Sequence, residues 1–367
     1  ASPWLGELLG CLLRWPGVRM RDAHFDWSNV TSLDDLQQLI EGRLSDQERV
    51  YAASSRIPVY EHRVRLDRMD DQKLTVVMAQ NLIPEDTDFT ASDPGLDDPK
   101  FRTKHRRHIS SLLGLIDKTL HVRSQSGRPD AADLIVLPEL AVHEEDLYLL
   151  RNLVDATGAM VVCGVTFVRH PHRNKWINTA RWMLRDDTPS GRHIRPIDQG
   201  KQHLMKKERD LGVIVPFRPC QHIVSAYSTS GKRLWRMAVA ICFDATDLKL
   251  AADLVNETDC FIVPALNQDV ATFDNMAAAL HYHMYQHFIV ANCGKFGGST
   301  AQAPYKLSHE KVIAHSHGGF QAAVNIFEVD LTDFRAGSAG FTVDSHGPPP
   351  TQALPRLKTP PAGARRR

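Results

Sequence analysis

The chain has 367 residues and a formal net charge of +1; 43% of the residues are hydrophobic and 24% are charged. This is the composition of an ordinary globular protein, with room for one large domain and additions or for two domains. The small net charge argues against a polyanion as the partner of the whole chain. No apolar run reaches the roughly 18 residues that a membrane helix needs, so we expect no membrane span.

Residues 1–72 are polar and mostly helical in pattern, and we interpret them as a helical N-terminal extension. The stretch SLDDLQQLIEGRL carries apolar residues at helical spacing, and Ser32 is placed to cap that helix. These apolar residues are Leu33, Leu36, Leu39, Ile40 and Leu44. The earlier run WLGELLGCLLRWPG is interrupted by Glu7 and Arg14, so it predicts an amphipathic or buried helix and not a signal peptide.

Strands and helices alternate over most of residues 73–333, which predicts an α/β domain built as a layered sandwich. The predicted strands are 73–84, 133–140, 159–168, 176–184, two strands with a Ser-Gly turn and a following strand within 223–243, 260–266, 288–294, 311–316 and 322–331. The predicted helices are 101–121, 144–158, 247–259 and 275–287.

Residues 334–367 contain six prolines, few large apolar side chains, and six Lys or Arg against one Asp. A segment of this composition buries too little apolar surface to fold alone, so we expect a disordered basic tail. A solvated chain end is the simpler interpretation, and a weak contact with nucleic acid or a partner is the alternative.

Six cysteines are scattered along the chain without a Cys-x-x-Cys pair, and several lie in apolar runs. This pattern predicts reduced thiols in a cytoplasmic protein and not a disulfide framework. The cysteines are Cys11, Cys163, Cys220, Cys242, Cys260 and Cys293.

Three segments of the α/β region carry groups suited to nucleophilic chemistry. Glu139 closes one predicted strand, Cys242 closes another, and Lys201 lies between them in GKQHLMKKERD. A thiolate is the attacking species, and a nearby ammonium lowers the pKa of its thiol. A carboxylate can take the thiol proton and later activate water, while the ammonium and the free backbone N–H groups after the cysteine can hold the developing anion. On local evidence alone, however, a small buried filler is the favoured interpretation of Cys242, because packing is the common role of a buried cysteine.

The order of these segments resembles that of the nitrilase, or carbon–nitrogen hydrolase, superfamily. The matching landmarks are VVMAQ with Gln80, DLIVLPEL with Glu139, VVCGVTF with Gly164, INTARWML with Asn178, KQHL with Lys201, the glutamate Glu208, VAICFDAT with Cys242, and the later CFIVPA, VANCG and GGSTAQAP. The resemblance covers about residues 73–333. Phe243 stands where the family commonly has tyrosine, the elbow continues as DATDLKLA, and the stretch HYHMYQHF lacks the usual Arg and Glu, which together indicate a divergent branch.

The resemblance implies a nitrilase-like α-β-β-α sandwich that hydrolyses an amide, a nitrile or a carbamoyl amine through a cysteine thioester. Glu139 would be the general base, Lys201 the catalytic lysine and Cys242 the nucleophile. Glu208 would be a structural glutamate beside them, with Phe243 and Asn267 at the substrate pocket or supporting the oxyanion. No metal or organic cofactor is implied, and the family's habit of pairing through helices implies a homodimer or larger assembly.

Several alternatives stay open at this point. Lys206 and Lys207 compete with Lys201, although the K-x-H-L context favours Lys201 and a solvated charge run explains the pair. The segment from Asn267 to Asp269 is as readily a plain turn as a pocket wall. A zinc site on His281, His283 and His287 is disfavoured because two of them face different sides of a helix and no HExxH motif occurs.

A different class of function is a catalytically idle, nitrilase-like module used for binding or assembly. Such modules occur fused to other domains, including bacterial reverse transcriptases in phage defence, and only such a fusion would bring nucleic acid as a partner. The first residue is Ala and not Met, which suits a processed or excised piece of a longer protein. This interpretation rests on where similar domains occur and not on the residues of a site in this chain.

Overall fold

The computed structural model describes residues 31–38, 40–42, 54–55, 57–67, 73–128, 131–334 and 357–361. The chain divides into two compact units, residues 1–59 and residues 60–367. In the first unit, residues 33–38 and 40–42 are helical. Ser32 and Asp35 cap this helix, because the backbone N–H of each donates to the side chain of the other, at 2.9 and 3.1 Å. The predicted helix and its cap are confirmed, whereas Leu39, Leu44 and the run at 4–17 lie outside the described residues.

In the larger unit the described residues form two β-sheets. The strands in chain order are β1 Val59–Leu66, β2 Leu74–Gln80, β3 Leu134–Val136, β4 Met160–Arg169, β5 Trp176–Thr188, β6 Gly191–Gly200, β7 Gln221–Ser228, β8 Arg233–Val239, β9 Cys260–Pro264, β10 His287–Ala291, β11 Gly297–Gln302, β12 Val312–His317 and β13 Ala323–Val329. One sheet has the order β13-β2-β3-β4-β5-β6 and the other the order β1-β7-β8-β9-β10-β11-β12. Both sheets are parallel at their centres, through β2, β3 and β4 in the first and through β8, β9 and β10 in the second.

The structure also describes helices in this unit. They are α1 Pro99–Gln125, α2 Leu147–Thr157, α3 Lys206–Asp210, α4 Leu248–Leu254, α5 Val270–His283 and α6 Ser308–Lys311. The sheets contact each other through β2 with β10 and β11 and through β4 with β9, while α1 and α2 pack on the first sheet and α5 packs on the second. The result is the expected α-β-β-α sandwich. Among the described helices, none combines the length with the apolar character that a membrane crossing requires.

The first sheet and its helices share one hydrophobic core. Every residue of β2 is buried, as expected for a strand covered on both faces. Ile109, Leu112 and Ile116 of α1 recur at helical spacing and pack on this sheet. Gly158 adopts the left-handed conformation, φ +72°, at the end of α2, where glycine carries no steric penalty. The predicted stop at Gly158 is therefore confirmed.

Several elements differ from their predicted bounds. β6 was not predicted, because GRHIRPIDQG alternates only weakly and is half exposed. The helix predicted at 275–287 begins earlier, at Val270, and ends at His283, so that His287 opens a strand.

The segment boundaries 1–72, 73–333 and 334–367 remain predictions. β1 lies within 1–72 and yet joins the second sheet. Leu357 lies within the predicted tail and is nevertheless buried, forming a bridge with Tyr305.

Two glycines let backbone segments approach closely beside the ends of β3 and β6. A Cβ at Gly164 would overlap the backbone of Glu139 and Leu140, and a Cβ at Gly200 would overlap the carbonyl of Phe217. Gly164 also donates its N–H to the carbonyl of Pro138 at 2.9 Å. The absence of a side chain on β4 therefore fixes how closely the Glu139 segment lies against the sheet.

We expect Gly164→Ala to lower the free energy of unfolding by on the order of 1–3 kcal/mol, because the new methyl group must displace backbone in a packed core. Gly114→Ala is the matched control. Gly114 is exposed in α1, and a Cβ added there would have no neighbouring atom within 4 Å, so alanine at this position should stabilise by about 0.5–1 kcal/mol. Urea unfolding of both variants measures the two effects. If Gly164→Ala were as stable as the wild-type protein, the backbone at Gly164 would accommodate a methyl group without cost and the prediction would be wrong.

Candidate active site

Three strand ends bring the predicted reactive groups to one place. Glu139 follows β3, Lys201 follows β6 directly, and Cys242 begins a short 3-10 turn, Cys242–Thr246, after β8. The Lys201 backbone is held on both sides: its N–H donates to the carbonyl of Asn178 at 3.1 Å, and its carbonyl accepts from Phe217 at 2.8 Å.

Lys201 is buried between two carboxylates. Its Nζ donates to Oε1 of Glu139 at 2.7 Å and to Oε2 of Glu208 at 2.6 Å. The side chain of Lys201 is 1% exposed. Glu208 lies in α3 and also accepts from the backbone N–H of Met205 at 2.7 Å. The sequence thus folds a cation and two anions into a nearly dry interior.

Asn178 completes this network from the neighbouring strand β5. Its Nδ2 donates to Oε1 of Glu139 at 2.8 Å and to Oε1 of Glu208 at 2.7 Å. The second oxygen of Glu139, Oε2, accepts from the backbone N–H of Leu266 at 2.9 Å. Both oxygens of Glu139 therefore have donors, and the carboxyl is held in a single orientation.

Cys242 sits in a strained backbone conformation next to this network. Its φ is +47°, in the left-handed region that residues with a side chain rarely adopt. The thiol is fully buried, and Glu139, Lys201 and the backbone N–H of Leu266 lie close enough to influence its pKa. Such strain persists only where the surroundings enforce it, and it clusters at functional sites.

The protonation states of the three groups follow from burial and charge. Burial favours a neutral Lys201, but the carboxylates of Glu139 and Glu208 outweigh it and raise the pKa of the ammonium. Burial also raises the pKa of Glu139, despite the attraction of Lys201. For Cys242, burial and then the Glu139 charge raise the pKa of the thiol well above its ordinary value, and Lys201 offsets them only in part. Lys201 thus lowers the pKa of the thiol as expected, but burial and Glu139 together raise it by more.

Asp244 and Arg218 form a buried ion pair beside the segments that follow Cys242 and Lys201. Asp244, two residues after Cys242, accepts from the backbone N–H groups of Gln202 and His203, at 2.9 and 2.6 Å. Arg218 places Nη1 at 3.1 Å from Oδ2 of Asp244, and both side chains are 1% exposed. Asp244 thus ties the segment after Cys242 to the segment after Lys201.

A cavity of about 370 Å³ opens onto the network. Its lining includes the buried charged residues Glu139, Lys201 and Glu208, which we call its inner end, and also Asn267 and Gln268, whereas Cys242 is not a lining residue. Asn267 is fixed by Asn292, which accepts from its N–H at 2.9 Å and donates to its carbonyl at 2.8 Å. The volume lies within the roughly 300–1,000 Å³ of small-molecule pockets.

The remaining residues singled out from the sequence are not part of the Lys201 network. Phe243 is 39% exposed, and the described residues lining the cavity do not include it, so its side chain gains no support as a pocket wall. Lys206 is largely exposed and pairs with Asp210 at 2.6 Å. Gln80 donates to the carbonyls of His317 and Gln321 and is structural. In the described part of the chain no group of three His, Cys, Asp or Glu residues could hold a metal ion, so the zinc alternative gains no support.

Sequence reasoning missed two features of the site. Asn178 was only a landmark of the resemblance, whereas it bridges both carboxylates. Asp244 was visible two positions after Cys242, but its partner Arg218 carries no local signal, because it reaches the turn from a distant segment.

No family model matches the sequence, and a search of curated proteins finds no match. Solved structures do match. Nit3 of Saccharomyces cerevisiae, described as a member of branch 10 of the nitrilase superfamily, is 15% identical with a TM-score of 0.50, over 75% of this chain and 97% of Nit3. An amidase of Nesterenkonia sp. is 14% identical with a TM-score of 0.47, over 74% of this chain and 96% of the amidase. A carbon–nitrogen hydrolase superfamily protein of Xanthomonas campestris is 14% identical with a TM-score of 0.47, over 72% and 94%. The likeness to Nit3 shows that this chain has the nitrilase-superfamily fold.

We expect Lys201→Ala to move the alkylation of Cys242 by iodoacetamide to higher pH, because the thiolate loses its nearest opposite charge. The labelled fraction is followed against pH by mass spectrometry of the Cys242 peptide. Lys206→Ala is the control, since that ammonium is 80% exposed. If the labelling profile were unchanged in Lys201→Ala and shifted in Lys206→Ala, Lys206 and not Lys201 would be the charge that acts on the Cys242 thiol, and the prediction would be wrong.

We expect Asp244→Asn to lower the free energy of unfolding by about 3 kcal/mol, because it removes the nearer carboxylate partner of the buried Arg218 and leaves it, among the described residues, only the longer contact with Asp247, at 3.8 Å. Combining it with Arg218→Met should recover much of that loss, since removing both charges is far cheaper than removing one. Urea unfolding of the two single variants and the double variant measures the coupling. Strictly additive losses would mean that the two side chains do not interact.

Proposed function

We propose that the protein hydrolyses a non-peptide carbon–nitrogen bond, in an amide, a nitrile or a carbamoyl amine, with Cys242 as the nucleophile. The observation that carries this proposal is the buried contact of Lys201 with Glu139 and Glu208 beside the thiol, at the inner end of a cavity. Replacing buried ion pairs with apolar residues is often neutral or stabilising, so folding alone gives little reason to keep this one. A module used only for binding would not need it either.

The first half of the reaction forms a thioester. Glu139 takes the thiol proton as the sulfur of Cys242 attacks the carbonyl carbon and forms the S–C bond. The oxygen becomes an anion, which the Lys201 ammonium and the backbone N–H after Cys242 stabilise. Glu139 then gives its proton to the leaving nitrogen as the C–N bond breaks, which releases an amine or ammonia.

The second half hydrolyses the thioester. Glu139 takes a proton from a water molecule, whose oxygen attacks the thioester carbon. The C–S bond breaks, the acid leaves, and Glu139 returns the proton to the sulfur. Glu208 would keep a negative charge beside Lys201 while Glu139 is protonated, so the ammonium keeps its place through both halves. With a nitrile, the thiol of Cys242 would add across the carbon–nitrogen triple bond to form a thioimidate. Water would then add to that carbon and ammonia would leave, which gives the same thioester for hydrolysis.

The remaining parts of the proposal concern context. A homodimer or larger assembly and a cytoplasmic location are expected from the resemblance and from the cysteine pattern. Small-molecule amides or nitriles are the proposed substrates.

We expect wild-type protein, mixed with a library of small amides and nitriles and quenched in acid, to gain the mass of an acyl group on Cys242. Cys242→Ala should gain none and should keep its fold by circular dichroism, because the change removes one small side chain. Cys163→Ala is the matched control, being equally buried but in the core of β4, and it should still acylate. An adduct on Cys242→Ala, or none on wild type with any compound, would contradict the proposal.

A further inference from the structure

We infer that the cavity selects neutral substrates with an apolar body, aromatic or branched aliphatic, over substrates that carry a carboxylate. This inference rests on the proposed function for its reacting group and goes beyond it in naming the substrate class. The charges and apolar walls of the cavity carry it.

The walls of the cavity are mainly apolar and well packed. Phe89 and Phe167 meet edge to face with ring centroids 5.1 Å apart, and both belong to a buried cluster that also contains Leu140. The remaining apolar walls are Met205, Leu211, Leu266 and Phe296. Because the two rings pack against each other, they have little freedom to change rotamer. The cavity therefore keeps an apolar surface that an apolar group of matching size can contact.

The other charged residues of the cavity lining, which we call its mouth, are paired with one another; they are Asp86, Lys206, Lys207 and Asp210. Asp86 pairs with Lys207 and, at 3.4 Å, with Lys295. Lys295 pairs also with Glu85 at 2.6 Å, and Lys206 pairs with Asp210 at 2.6 Å. Both cations of the mouth, Lys206 and Lys207, thus already have an anionic partner within the lining, and Lys295, outside the lining, shares Asp86. A substrate carboxylate would have to displace one of these partners.

The inner end disfavours an anion further. Lys201 offers one positive charge against two carboxyl groups, Glu139 and Glu208, so this region is neutral or negative in sum. A carboxylate brought between the aromatic walls would lose its hydration without gaining a free cation. A neutral apolar body meets neither cost and gains the burial of its surface.

The test compares two amides of nearly equal shape. In 5-methylhexanamide an isopropyl group replaces the carboxylate of the monoamide of glutaric acid. We expect wild-type protein to acylate Cys242 with the apolar amide at least 10-fold faster, measured as the second-order rate constant by quenched mass spectrometry. A preference for the carboxylate compound, or equal rates, would overturn the inference.

A charge variant sharpens the test. Asp86→Asn removes the partner of Lys207, so a cation becomes free at the mouth, and we expect the preference to narrow at least 5-fold through faster reaction of the carboxylate compound. Asp198→Asn is the matched control. It removes the partner of Arg181, where β5 pairs with β6 and away from the cavity walls, and should leave the ratio as in wild type. An unchanged ratio in Asp86→Asn would overturn the assignment of neutrality to the mouth pairs.

Binding separates this inference from the proposed function. The Cys242→Ala protein is titrated with each amide by saturation-transfer NMR. Preferential binding of 5-methylhexanamide with no acylation of wild type would support the selectivity and contradict the hydrolase. Acylation without that preference would support the hydrolase and contradict the selectivity.

Discussion

The structure of the site depends on one constraint: the ammonium of Lys201 is buried against two carboxylates with almost no solvent. Removing these charges from water is costly, and only close geometry with further hydrogen bonds offsets the cost. That geometry needs strand ends from both sheets and the short helix α3 to meet within a few ångströms. Asn178 donates to both carboxylates and so satisfies oxygens that water would otherwise serve. The positions of the surrounding backbone follow from this requirement.

The backbone around the site is adapted to hold these charges. Gly164 lets β4 approach the Glu139 segment, and Gly200 lets the end of β6 approach Phe217, whose N–H holds the carbonyl of Lys201. Asp244 joins the turn after Cys242 to the loop after Lys201. Each of these contacts acts on main-chain position and not on the reacting atoms. Together they leave the charged side chains little room to relax away from one another.

Much of the fold could be predicted from the sequence because its strands are apolar runs with turns at regular spacing, as in 73–84 and 260–266. β6 escaped prediction because its half-exposed residues lack that pattern. Glu139, Lys201 and Cys242 could be singled out from their places at strand ends and from the resemblance. Arg218 could not, since its role arises from a contact across the fold. The raised pKa of the Cys242 thiol could not be predicted either, because the degree of burial decides whether desolvation or Lys201 dominates.

The directions of the pKa shifts bear on how such a site would react. Burial raises the pKa of both Glu139 and Cys242, so the thiolate and the ionised carboxylate are each less stable here than in water. The raised pKa of Glu139 makes it a stronger proton acceptor than an ordinary carboxylate, whereas the raised pKa of the Cys242 thiol keeps the proton on sulfur in the resting site. In the proposed mechanism, proton transfer during attack on a substrate would replace the buried negative charge on Glu139 with one that develops on the substrate, next to Lys201. The ammonium is thus more useful to the developing anion than to the resting thiol.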